Sequence, residues 1–363
     1  MNQNKPFRVL SLDGGGMRGT YTATYLSCLA SAFAIRRGVS GLDVGASFDL
    51  IVGTSTGGII ACAIAAGVPL SKIVEFYRAH GSSIFPRRLP QSPGLELITD
   101  MFRRRAALAC GSETLRAALT RHFGDMTLGD LYRDREIALA ITAVELSQHR
   151  SWIFKTPHLR NTNHRDDHYR LVDICLATSA APMYRSLAAV EHPDGGDAGY
   201  RVFADGGLWA NNPVLVGLID ALEMTTRERE IQVFCLGTCP RPAGEQVSKA
   251  VVHRDLNGWK FGGMAAALSI DAQEFAYDNI ARMLVKHLDR QCQILRFPRD
   301  QIPAALMPYL DLDDTRPEAM DALINQARTD ADMANSRCGD ANSREGQLIT
   351  RLFMDSPPYT SNS

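Results

Sequence analysis

Three short segments hold the residue types and spacing that nucleophilic chemistry requires. The first is Gly53-Thr54-Ser55-Thr56-Gly57, a G-x-S-x-G pattern between an apolar run at 48–52 and a small-residue run at 59–66. A serine nucleophile needs a sharp turn that projects its Oγ, and glycines remove the Cβ clashes of such a turn. A helix opening just after Ser55 would aim its N-terminal N–H groups at a reacting carbonyl. The second is Asp13-Gly14-Gly15-Gly16-Met17-Arg18-Gly19. Consecutive glycines leave backbone N–H groups bare, which is how an oxyanion is held where no side chain can approach. Gly14, Gly15 and Gly16 are the candidate donors, and Arg18 would add positive charge beside the oxyanion or a phosphate headgroup. The third is Asp205-Gly206-Gly207. A carboxylate at a strand end can serve as general base for Ser55 when held within hydrogen-bond reach.

Each segment also has a plainer reading. G-x-S-x-G recurs by chance in a chain with 29 glycines, and its strand–turn–helix setting is what marks it here. Gly14, Gly16 and Gly19 satisfy the dinucleotide pattern G-x-G-x-x-G as well. That use needs an acidic residue ending a second strand about twenty positions on. Asp43 has the distance but lies in a loop-like stretch at 38–47. An aspartate before two glycines is, alone, a turn. The alternative is an α/β-hydrolase esterase with a Ser-His-Asp triad, for which His253 and His287 follow Asp205 in the required order. Both sit among charged residues that suit the surface. Asp311, Asp313 and Asp314 lack the glycine-bearing loop and bidentate Glu of a calcium site. They suit the start of a helix, and no metal or cofactor is expected.

The elements that must position these residues are legible in outline. Phe7 to Leu12 reads as a strand feeding the glycine-rich turn, and 20–34 reads as a helix with apolar residues at helical spacing. A second strand at 48–52 meets the Ser55 turn, and 59–66 continues as a helix ending at Gly67. Further strands are expected at 137–144 and 231–236, and a helix at 315–334. Strands alternating with helices argue for a mostly parallel sheet covered on both faces. Residues 82–110 read as an insertion, with Pro86, Pro90 and Pro93 ahead of a short helix from Leu95. Leu95, Leu97, Ile98, Met101 and Phe102 precede Arg103-Arg104-Arg105, a pattern that fits a core-packed helix and also a contact with anionic lipid. Polar loops are expected at 158–168 and 194–199, and disorder at 356–363.

With 39 Lys+Arg against 40 Asp+Glu, the chain has no global electrostatic drive toward nucleic acid, which is not an expected partner. Eight single cysteines without a C-x-x-C fit buried thiols in a reducing cytosol. The longest apolar run, 59–66, is too short to span a bilayer, and a strand beginning by residue 7 leaves no room for a signal peptide. A cytoplasmic protein with at most peripheral membrane contact is expected.

At these three segments the sequence resembles the patatin-like phospholipase family. The matching motifs are D-G-G-G-x-R-G at 13–19, G-x-S-x-G at 53–57 and D-G-G at 205–207, in the family's order. Ala177-Thr178-Ser179-Ala180-Ala181-Pro182 is similar to the segment the family carries before its catalytic aspartate. The resemblance covers about residues 7–330. It implies a three-layer α/β/α patatin-like fold with a mostly parallel central sheet, and a Ser55–Asp205 dyad without histidine. Gly14, Gly15, Gly16 and Arg18 would form the oxyanion hole. The implied reaction is hydrolysis of fatty acyl esters of phospho- or galactolipids. One domain at 1–338 with a C-terminal tail at 339–363 is expected. Bacterial relatives in this family include antiviral phospholipases switched on by cyclic nucleotides. The chain is similar to them in size, which leaves open a cyclic-dinucleotide activator and a homo-oligomer.

Overall fold

The fold was analysed in a computed structural model that describes residues 5–90, 95–192, 199–239, 247–249, 252–255, 258–259, 263–298 and 302–359. The run at Phe7–Leu12 forms β1, buried at every position and flanked on both sides by parallel strands. A strand covered on both faces needs apolar residues throughout rather than alternation. The chain continues through α1 (Gly19–Arg37), β2 (Leu50–Thr54), α2 (Thr56–Ala65), α3 (Leu70–Ile84), α4 (Leu95–Phe123) and α5 (Leu128–Arg135). Next come β3 (Ala138–Glu145), β4 (Arg150–Lys155), α6 (Leu171–Thr178), β5 (Ala188–Glu191), β6 (Tyr200–Asp205), α7 (Gly207–Ala210) and α8 (Val214–Met224). β7 (Ile231–Leu236), α9 (Gly263–Lys286), β8 (Cys292–Phe297), α10 (Pro317–Arg337) and α11 (Arg344–Asp355) complete it.

Five strands run parallel in the order β3-β2-β1-β7-β8, and β4, β5 and β6 join antiparallel at the β3 side. Period-two alternation divides the sheet into two apolar faces. Leu10, Leu12, Ile51, Ile141 and Phe234 belong to one core, which also contains residues of α1, α2, α10 and α11. Val9, Val52, Ala140, Val233 and Cys235 belong to the other, together with residues of α8 and α9. The result is the expected three-layer α/β/α architecture with a mostly parallel sheet.

One pairing feature decides where chemistry can occur. β2 pairs with β3 in parallel up to Thr54 opposite Thr142. β6 pairs with β3 antiparallel from Asp205 opposite Ala143. β4 covers β3 from Ala140 to Glu145 and so occupies the other edge. β2 and β6 therefore share one edge of β3 and run toward each other. Their C-terminal residues, Thr54 and Asp205, face adjacent positions of β3.

Three expectations change. The helix from Leu95 is not short: α4 runs 29 residues to Phe123. Arg104 is not solvated but donates to Asp100 at 3.0 Å and to the Met183 carbonyl at 3.1 Å. Phe102, Arg103 and Arg105 are exposed, while the side chains of Leu95, Leu97, Ile98 and Met101 lie outside the described residues. Of the loop at 194–199, residues 194–198 also lie outside them. Beyond residue 338, α11 buries Leu348, Ile349, Leu352 and Phe353, and Phe353 stacks on Phe33 of α1 at 5.1 Å. Disorder does not begin at Ser356. The Asp43 N–H donates to the Pro357 carbonyl at 2.8 Å and the Tyr359 N–H to the Gly41 carbonyl at 3.1 Å. Residues 360–363 lie outside the described residues.

If α11 is part of the core, Phe353→Ala lowers unfolding free energy by about 3–5 kcal/mol, the usual cost of emptying a buried aromatic site. Denaturant titration checks this, and a loss under about 1 kcal/mol would mean that α11 packs only loosely.

Candidate active site

β2 ends at Thr54 and α2 begins at Thr56, so Ser55 alone makes the turn between them. It adopts φ 53° and ψ −123°, a left-handed conformation that side chains other than glycine rarely take. The turn closes because its flanking glycines have no side chain. A Cβ on Gly57 would lie 2.3 Å from the Leu12 carbonyl, and one on Gly53 would lie 2.5 Å from the Gly57 carbonyl. Ser55 is nearly buried, and the unbonded N–H groups at the α2 N-terminus point to its side of the turn.

Asp205 stands at the end of β6, where β2 and β6 converge. The Ser55 hydroxyl donates to Asp205 Oδ2 at 2.7 Å. The Gly207 N–H donates to Oδ1 at 2.7 Å, so both carboxylate oxygens are held. Thr178 ties the two strand ends together: its hydroxyl accepts the Ser55 N–H at 2.8 Å and its carbonyl accepts the Gly206 N–H at 3.3 Å. Burial pushes the Asp205 carboxyl up to about 6, while the bonds from Ser55 and Gly207 and the charge of Arg185 pull it back. At neutral pH it is mainly a carboxylate and a stronger base than an exposed aspartate.

The glycine-rich loop lies over this pair. A Cβ on Gly14 would lie 3.2 Å from Ser55 Cβ and 2.3 Å from Asn211 Oδ1. The Gly14 N–H donates to the Asn211 carbonyl at 2.9 Å, and the Gly14 carbonyl accepts from Thr238 Oγ1 at 2.9 Å. The N–H groups of Gly15 and Gly16 have no hydrogen-bond partner among the described residues. Gly16 has φ 56°, and a Cβ there would lie 2.3 Å from the Leu312 carbonyl. Arg18 is buried beneath the loop, donating weakly to the Gly15 carbonyl at 3.4 Å and the Cys239 carbonyl at 3.5 Å. Asp13 anchors the base of the loop through Arg296 at 2.5 Å.

Above Ser55 and Asp205 opens a cleft of about 260 Å³. Ile59, Phe76, Tyr77, Ile84, Phe85 and Leu115 give it a largely apolar wall suited to an acyl chain. Among the described residues no histidine lines it, and His253 and His287 are exposed. Asp43 pairs with Arg135 at 2.7 Å, in contact with neither Ser55 nor the glycine-rich loop. Asp311 and Asp313 do reach the cleft, where Asp311 pairs with Arg88 and Asp313 accepts the Leu89 N–H at 2.6 Å. Asp314 pairs with Arg316 at 2.6 Å, and among the described residues no group of side chains is arranged to hold a metal. Sequence reasoning missed Thr178, Asn211 and Arg185 as site residues. Thr178 lay in a quoted motif, but its partners are more than 25 residues away.

A buried hydroxyl–carboxylate pair under a glycine-rich loop, in an apolar cleft at the strand ends, suits the hydrolysis of lipid esters. Comparison with known proteins agrees: the family model for patatin-like phospholipases matches residues 10–218. The cGAMP-activated phospholipase of Vibrio cholerae is 30% identical over 336 residues, spanning 88% of this chain and 89% of that protein. The cGAMP-activated phospholipase of Pseudomonas aeruginosa is 35% identical over 283 residues, 76% of this chain and 74% of that protein. Human GIVD cytosolic phospholipase A2 superposes with a TM-score of 0.42 at 11% identity, covering 96% of this chain and 60% of that one. The chain belongs to the patatin-like phospholipase family.

The Asp205 carboxyl is expected to titrate near 6 by carboxyl carbon NMR. Ser55→Ala removes a donor that favours the charged form, so the midpoint moves up. A midpoint in the ordinary aspartate range, or one unmoved by Ser55→Ala, would mean that the pair is not buried and bonded as described.

Proposed function

We propose that the protein is a phospholipase A-type serine hydrolase that cleaves fatty acyl esters of membrane phospholipids through Ser55 and Asp205. The observation that carries this reading is the 2.7 Å hydrogen bond from Ser55 Oγ to Asp205 Oδ2 inside the apolar cleft. Asp205 takes the hydroxyl proton as Ser55 Oγ attacks the acyl carbonyl. The tetrahedral oxyanion is held by the N–H groups of Gly15 and Gly16 and by the N-terminus of α2. Gly14, whose N–H is taken by Asn211, holds the loop's shape, and Arg18 braces it from below with positive charge. The intermediate collapses to an acyl-serine, and Asp205 returns its proton to the leaving lysolipid alkoxide. Asp205 then deprotonates a water that attacks the acyl-serine, and Ser55 recovers its proton as the fatty acid leaves.

Among the described residues no helix is long and apolar enough to cross a membrane. Leu208 and Met183 line the cleft and are largely exposed, which suits peripheral contact at its mouth. The names of the Vibrio cholerae and Pseudomonas aeruginosa relatives, cGAMP-activated phospholipases, support a second layer, activity gated by a cyclic dinucleotide; an effector role in antiviral defence rests on the sequence resemblance alone.

Release of free fatty acid from bacterial phospholipid vesicles tests both layers. Ser55→Ala and Asp205→Ala are each expected to lose about 10³-fold or more. Wild-type kcat/KM is expected to fall about tenfold per unit as pH drops below about 6, because protonated Asp205 cannot accept the serine proton. Activity surviving Ser55→Ala would overturn the hydrolase reading. Full activity without nucleotide, unchanged across a cyclic-dinucleotide panel, would overturn only the gating.

A further inference from the structure

Among the described residues that line the cleft, Arg185 is the cation whose partners do not account for its burial. Its side chain is only 5% exposed and lines the same cleft as Ser55 and Asp205. It donates at 3.3 Å to the Ile84 carbonyl and at 3.5 Å to the Gly111 carbonyl, both long for such bonds. Its guanidinium lies 5.7 Å from the centre of the Phe85 ring. Among the described residues no carboxylate comes within ion-pair distance of it. Asp205 is near enough to feel its charge, but both Asp205 oxygens are committed to Ser55 and Gly207. Burial lowers the Arg185 pKa only to about 10, so it stays cationic at neutral pH.

A desolvated guanidinium with five donors and two weak bonds lacks a counter-charge. Arg18, the other cleft arginine, is turned to the backbone of its own loop and to Cys239. We propose that Arg185 is an anion seat that receives the phosphodiester of a glycerophospholipid while its acyl ester lies at Ser55, and that it thereby selects phospholipids over uncharged acyl lipids. The guanidinium fork matches two phosphate oxygens, and the low-dielectric wall strengthens the pairing. The proposal rests on the hydrolase reading above and adds to it the residue that recognises the substrate's phosphate.

The test compares kcat/KM for phosphatidylglycerol and for diacylglycerol with the same acyl chains, in uncharged detergent micelles. A change in Asp205 titration scales the rates on both lipids alike and so cancels from their ratio, and pH 8.5 lies well above the wild-type midpoint. Wild type is expected to favour phosphatidylglycerol by about tenfold or more, Arg185→Gln to bring the ratio close to one, and Arg185→Lys to fall between. A wild-type ratio near one overturns the proposal without any variant. So does a proportional loss on both lipids in Arg185→Gln, which is what a bracing role for Ile84 and Gly111 predicts. Should Arg185→Gln fail to fold by thermal unfolding, the wild-type and Arg185→Lys ratios decide. The assay is run with and without a cyclic-dinucleotide panel: wild type cleaving neither lipid under any of these conditions would defeat the hydrolase reading itself, whereas cleaving both equally well defeats only the anion seat.

Discussion

The meeting of β2 and β6, end to end along one edge of β3, is the constraint on which the rest of the site depends. In a regular parallel sheet, two strand ends that face each other would be separated by a third strand. Here β3 pairs with β2 as far as Thr142 and with β6 from Ala143, so the last residues of both come to one place. Backbone pairing thereby supplies what side-chain flexibility cannot, a fixed separation between Ser55 and Asp205. Thr178 reinforces it by bonding the serine turn through its hydroxyl and the aspartate turn through its carbonyl.

That convergence is crowded, and the crowding explains the glycines. Gly206 stands where a Cβ would lie 2.2 Å from Thr142 Oγ1, and Gly57 packs its backbone against the end of β1. The positive φ of Ser55, a conformation that costs about 1–3 kcal/mol, is held by the strand on one side and the helix on the other. Burial is the other cost, since it raises the Asp205 carboxyl toward its neutral form. The donors at its two oxygens and the cationic Arg185 oppose that rise, leaving a carboxylate whose basicity suits the proposed role of general base.

The candidate site residues were legible in the sequence more readily than their surroundings. Ser55, Asp205 and the glycine-rich loop announce themselves because close backbone approach admits only glycine at fixed spacing. β1, β2, β3 and β7 show as apolar runs because they are buried on both faces. β4 and β5 mix exposed residues with buried or half-buried ones and give no comparable run. α11 carries a periodic signal of its own, since Leu348, Ile349, Leu352 and Phe353 fall on one helical face. The prolines at 86, 90 and 93 suggested an irregular insertion and hid the long helix that follows. Thr178, Asn211 and Arg185 owe their roles to partners distant in the chain, including Ser55, Gly14 and Gly111, and no local pattern encodes such contacts.

The central claim is that Ser55 is activated by Asp205 without a histidine. Brief exposure to a lipid-like fluorophosphonate, followed by peptide mass spectrometry, tests it most directly. The account predicts one phosphonyl adduct, on Ser55, formed at least about a hundredfold more slowly in Asp205→Asn and at an unchanged rate when His253 and His287 are replaced. An adduct on another residue, or labelling of Ser55 that is indifferent to Asp205→Asn, would contradict it.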